Sequence, residues 1–216
     1  MQPKRREIDH RTLKLIVGLV ALSLAGLTSV FSGSAITSIS ASYYEGGWSQ
    51  SIFIGFLFAI ASFLVAYNGL SQTEMILSKV AALAALGIAL FPCECDSHPA
   101  LLPYVHGGSA AVMFLILAYF CHGFFRRAQS KGHGQAQARG AIYLACGLAI
   151  LLSIAVLAFD KFSQGSISRH IPRLVFYGEA IALMAFGISW LTASRTLPLL
   201  TRRDERFSPF RDSNPE

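Results

Sequence analysis

The chain has 216 residues, 53% of them hydrophobic and 14% charged, with a mean hydropathy of +0.50. Soluble domains carry about 25% charged residues, so the composition excludes an ordinary soluble domain and points to an integral membrane protein. The net charge of +6 would suggest nucleic acid in a soluble protein. Here the basic residues sit in short loops between apolar runs, the pattern that sets orientation in a membrane.

Residues 1–14, MQPKRREIDHRTLK, form a basic, polar N-terminus. An uncharged run from Leu15 to Ile39 follows. It exceeds the roughly 20 residues needed to cross a bilayer core. It is also longer than the roughly 7–15 apolar residues of a signal peptide, so a retained first helix is expected. Five more runs occupy about 51–70, 75–92, 102–125, 139–159 and 172–194. Asn68-Gly69 and a short loop predict a tight hairpin between the second and third runs. The expected fold is all-α: a bundle of six transmembrane helices over 15–194. The 195–216 tail is polar and expected to be disordered.

Six crossings put both termini on one side. Of the 18 Lys and Arg residues, 15 then share that side and only Lys161, Arg169 and Arg173 lie opposite. By the positive-inside rule both termini are cytoplasmic, in a bacterial-type inner membrane.

An ionisable group inside lipid is a functional candidate by default. Glu179 lies in the apolar stretch LVFYGEAIALMAFG, about seven residues inside the sixth run and so roughly 10 Å below its outer end. His106 falls near the outer start of the fourth run. With Ser40 and Tyr43, which close the first run, these residues form a candidate polar site at the outer face. Asp160 and His170 fall at the same end. Tyr43, Tyr44, Trp48 and Tyr104 also fit an aromatic belt at the membrane interface.

Cys121 and Cys146 lie inside apolar runs and fit small core residues. The outer loop CECDSHP offers Cys93, Glu94, Cys95, Asp96 and His98. Cys93, Cys95 and His98 are metal-ligand types, but the C-x-C spacing matches no standard site. The expected reading is a polar loop with incidental cysteines. A disulfide between two molecules is the alternative, because the outside of an inner membrane is oxidising. His122 and His133 sit in a basic inner loop suited to anionic headgroups.

Ser38-Ile39-Ser40-Ala41, Val105-His106-Gly107 and Gly178-Glu179-Ala180 resemble segments of the Frag/DRAM/Sfk-type six-helix membrane family, and the plan is similar to that of bacterial six-helix membrane proteins. The resemblance implies a lipid-associated role and transfers no reaction. Where an aromatic residue would follow the glutamate, this chain has Ala180. Intramembrane zinc hydrolases of the ceramidase and progestin-receptor type offer a second comparison. They use seven helices and several histidines, whereas only His106 is intramembrane at this end.

The expected role is therefore to bind or organise lipid, or a partner, at the outer face, and the balance leans away from an enzyme. The alternatives are a lipid-acting hydrolase using Glu179 and His106, or a small proton-coupled transporter. No cofactor is expected. Membrane lipids are the expected partners, nucleic acid is not, and a homo-oligomer is left open.

Overall fold

A computed structural model describes residues 10–95, 98–99 and 102–207. Among these the chain is all-helical: α1 (His10–Val30), α2 (Ser42–Glu45), α3 (Gly47–Ala66), α4 (Gln72–Leu90), α5 (Val105–Gln129), α6 (Gly134–Phe162), α7 (Leu174–Ala193) and a 3-10 turn, Pro198–Leu200. All except α2 and the 3-10 turn are long and apolar enough to cross a membrane, which gives the six spans of a multi-pass membrane protein.

The six long helices close a ring in which α1 packs on α3 and α7, and α3, α4, α5, α6 and α7 follow in order. The ring has two ends. The linker end carries residues 31–46, the α4–α5 loop and the α6–α7 loop. The tail end carries His10, the α3–α4 and α5–α6 turns, and residues 194–207. Aromatic rings fill the interior towards the tail end: Trp190 lies 5.1 Å from Tyr67 and 5.3 Å from Phe186. Leucines such as Leu19, Leu83 and Leu152 face outwards. Apolar groups on every side of a helix suit lipid rather than water. Helices α1 and α7 meet backbone to backbone at Gly18 and Gly187. A Cβ on Gly18 would lie 2.9 Å from the Leu191 nitrogen, so small residues set this contact.

The end of the first helix and the tail depart furthest from expectation. The first apolar run stops being helical at Val30 rather than Ile39. The side chains of Ser32 and Ser34 and the Gly33 N–H bind the Glu45 carboxylate instead, at 2.8, 3.0 and 3.1 Å. Serines that find such partners draw the backbone away from helix. These hydroxyls hold the Glu45 carboxyl below its ordinary range.

The expected disorder of the tail also gives way over residues 195–207, while 208–216 lie outside the described residues. The carboxylate of Glu205 pairs with Arg195 at 2.7 Å, with Arg139 at 3.1 Å and with Lys131. The Phe207 N–H reaches the Arg195 carbonyl at 3.0 Å. Arg139, buried on α6, also donates to the Leu200 carbonyl. A polar composition thus folds back because the basic bundle end supplies the partners that the partly buried Glu205 carboxylate needs.

Partial burial pushes the Glu205 carboxyl up, but Lys131 and Arg195 outweigh it and bring its pKa down to about 2 from an ordinary 4.5. A depressed carboxylate stabilises the fold above its unfolded pKa, and that contribution is lost as pH falls through the folded value. Glu205→Gln is therefore expected to lower the melting temperature at neutral pH. The gap from wild type should narrow below about pH 4.5 and close near pH 2. A constant gap across that range would contradict this assignment.

Candidate functional site

At the linker end, segments distant in sequence converge on Glu179. This residue lies in the second turn of α7, five positions after Leu174 and so about 8 Å from the helix start. That is shallower than expected, because α7 begins at Leu174 rather than 172. The 31–41 linker runs across its path. Oε2 of Glu179 accepts the Ile39 N–H at 2.5 Å and the Ser40 N–H at 3.2 Å, and Oε1 lies 2.7 Å from Ser40 Oγ. The stitching extends to both sides: the Phe176 N–H donates to the Thr37 carbonyl at 3.1 Å, and Arg173 Nε to the Ile36 carbonyl at 3.0 Å.

Ser40 Oγ also lies 3.0 Å from His106 Nε2, and His106 Nδ1 lies 2.8 Å from the Phe91 carbonyl. His106 is the second residue of α5. The chain Glu179–Ser40–His106–Phe91 therefore ties α7, the linker, α5 and the end of α4 together. Three of the four residues expected at the outer face, Ser40, His106 and Glu179, meet in it.

Tyr43 does not join through its side chain. Its N–H donates to the Ser40 carbonyl at 3.2 Å, and its ring packs edge-on against Tyr44 at 5.4 Å. The belt divides accordingly. Trp48 (71% exposed) and Tyr104 (79%) face outwards. Tyr44 turns inwards, donating its hydroxyl to the Cys93 carbonyl at 2.8 Å.

The hydrogens in this chain can be counted. A carbonyl only accepts, so the Phe91 contact puts a hydrogen on Nδ1 of His106. Ser40 has one hydroxyl hydrogen for two neighbours. Both contacts are satisfied if Glu179 Oε1 carries a hydrogen to Ser40 Oγ and Ser40 donates to His106 Nε2. They are also satisfied if Ser40 donates to Glu179 and Nε2 carries the hydrogen. Both patterns hold one proton more than a carboxylate with a neutral imidazole. Separated charges are costly in an apolar interior, which favours the neutral pattern.

The order acid–Ser–His also differs from a hydrolytic triad, where the acid meets the far nitrogen of the histidine. Here that nitrogen faces Phe91, and Ser40 is the link between two partners. Beside Glu179 and Ser40 lies a cavity of about 30 Å3, otherwise walled by apolar side chains including Leu24, Phe53 and Met113. It has room for a water or two, far below the roughly 300–1,000 Å3 of a small-molecule site.

The cysteine loop takes a form different from the expected incidental pair. Cys93 and Cys95 are joined as a disulfide, so neither offers a thiolate, and His98 stacks on Tyr44 at 4.0 Å. Asp96 lies outside the described residues. Among the described residues no group of three or more His, Cys, Asp and Glu is placed to hold a metal. Asp160 accepts the Ile167 and Ser168 N–H groups at 2.8 and 2.9 Å, and His170 lies against the Ser166 carbonyl at 3.2 Å. At the tail end His133 caps α6 by accepting the Ala136 N–H at 3.2 Å.

A second buried carboxylate, Glu74 at the tail end, was not anticipated. It pairs with Arg127 and accepts the Leu70 N–H at 2.9 Å. Lys14 lies nearby over the rings of Tyr67 and Phe124, at 5.3 and 5.0 Å. Ser71-x-x-Glu74 at the start of α4 is the capping signal that would have found it.

No family model matches the chain, and no curated protein or solved structure matches it either.

Glutamine can imitate a protonated Glu179. Its carbonyl accepts the two N–H groups and its amide donates to Ser40. Glu179→Gln is therefore expected to keep most of the thermal stability. Glu179→Ala strands two buried donors and should cost about 1–3 kcal/mol or more. Thermal unfolding in mild detergent compares them, and equal losses in both variants would contradict the shared-proton pattern.

Proposed function

We propose that this is a non-enzymatic, multi-pass protein of a bacterial-type inner membrane. Both termini are cytoplasmic, and the outer end organises lipid. The charge distribution supports the orientation: 15 of 18 Lys and Arg fall on the tail side.

The observation that carries the functional reading is the position of Ser40, held between Glu179 and His106. Ser40, His106 and Glu179 are turned inwards and bonded to one another, with the shared proton as the last element. The serine is a link in this latch and the adjoining cavity has room for no more than a water or two, which favours a binding role over hydrolysis or solute transport. What faces outwards is an apolar rim with exposed aromatic rings, among them Trp48, Tyr104, Phe162 and Tyr177. Such rings suit the boundary between headgroups and acyl chains. The three segments that resemble the Frag/DRAM/Sfk-type family are those that supply Ser40, His106 and Glu179, and that resemblance implies a lipid-associated role.

Two measurements test this reading. Alkaline phosphatase fused after Ser168 is expected to be active and fused after Lys131 inactive; the reverse pattern would overturn the orientation. Infrared difference spectra between wild type and Glu179→Gln should show the C=O band of a protonated carboxyl at neutral pH in the wild type. Carboxylate bands alone would overturn the neutral pattern of the latch.

A further inference from the structure

A groove of about 430 Å3 runs along the outside of the ring between α4 and α5, at the linker end. Its walls are Val80, Leu83 and Ala84 from α4, and Val105, Gly108, Ser109 and Val112 from α5, with Tyr104 at its mouth. The groove is deepest where Gly108 leaves the floor without a side chain. A Cβ placed on Gly108 would meet nothing within 4 Å, while Leu83 beside it stands 69% exposed. From Tyr104 to Val112 the floor spans eight residues, about 12 Å of helix.

The mouth differs in character. Tyr104 is held in the left-handed region at φ 66°, a conformation that a bulky residue adopts only when its surroundings impose it. The Lys161 ammonium lies 5.8 Å from the centre of its ring. Lys161 forms no ion pair within 4 Å among the described residues. It lies in the last turn of α6 and is one of only three Lys and Arg residues at this end, where the positive-inside rule disfavours cations.

We propose that this groove is a binding site for an anionic glycerophospholipid of the outer leaflet, with one acyl chain lying along Gly108 and the phosphate at Lys161. The inference rests on the reading that the outer end organises lipid, and it names the lipid and the place. The apolar walls match the chain, and the unpaired ammonium at the mouth matches the phosphate. The aromatic ring sits between them, at the depth where chain gives way to headgroup. The groove faces outwards from the ring, so in a bilayer its natural occupant is a hydrocarbon chain.

A Cβ at Gly108 meets nothing within 4 Å and leucine favours helix over glycine, so Gly108→Leu should fold with its side chain in the groove. Lys161→Gln removes the charge and leaves the groove. The experiment is native mass spectrometry of full-length protein in mild detergent with added phosphatidylglycerol or phosphatidylcholine. Wild type is expected to retain one phosphatidylglycerol in preference to phosphatidylcholine. Gly108→Leu should lose that lipid at an unchanged melting temperature, and Lys161→Gln should lose the preference between the two lipids. Retention by Gly108→Leu equal to wild type would overturn the groove, and equal retention of both lipids by wild type would overturn the headgroup assignment. The infrared carboxyl band is recorded on the same samples. A band without a retained lipid sinks the groove and leaves the neutral pattern of the latch standing, and a retained lipid without the band does the reverse.

Discussion

The N–H groups of Ile39 and Ser40 have no helix to receive them. They belong to a stretch of irregular backbone between α1 and α2 that lies against α7 at the end of an apolar ring. A backbone donor withdrawn from water must find an acceptor inside the protein, and within a membrane irregular backbone is tolerated only under that condition. One carboxyl group on α7 answers both donors. Glu179 thereby fixes where the linker crosses, and with it the position of Ser40. Ser40 in turn orients His106, and His106 anchors the end of α4 through the Phe91 carbonyl. Without the acceptor on α7 the linker would have to pack elsewhere, and α4 and α5 would lose their tie to it.

The same use of carboxylates recurs at this end and contrasts with the other. Glu45 holds Gly33 and the serines beside it, Asp160 holds Ile167 and Ser168, and Glu179 holds Ile39 and Ser40. All three stabilise irregular segments by accepting hydrogen bonds. At the tail end, Glu205 is surrounded by Lys131, Arg139 and Arg195, and Glu74 by Arg127. The tail end is thus ordered mainly by ion pairing, with Glu74 also holding the Leu70 N–H, and the linker end by backbone capture. This division leaves Lys161, Arg169 and Arg173 without a carboxylate within 4 Å among the described residues.

What was legible in the sequence follows from this difference. Long uncharged runs identify six spanning helices because lipid imposes a single demand on every residue of a span. Ser40, His106 and Glu179 stood out because a polar group in an apolar run requires a reason. The end of α1 was not legible, since Ser32 and Ser34 leave the helix for a glutamate 11 to 13 positions away. Nor was the ordered tail, whose composition matches a disordered one until Arg139 and Lys131 are placed beside Glu205. Tyr43 and Tyr44 are neighbours of one residue type and take different roles, because Tyr44 alone reaches the Cys93 carbonyl. In each case the missing information is a partner distant in sequence, and local pattern carries no trace of it.

The latch and the groove are coupled through α5. Glu179, Ser40 and His106 fix the first turn of that helix from inside the ring, and Tyr104, immediately before it, forms the mouth of the groove outside. Gly107 and Gly108 follow His106 directly, and a Cβ on either would meet nothing. The first turn of α5 is therefore anchored by hydrogen bonds on its inner face and left bare on its outer one. A rigid inner anchor keeps the bare face open, because the turn cannot rotate to fill the groove without breaking the His106 contacts.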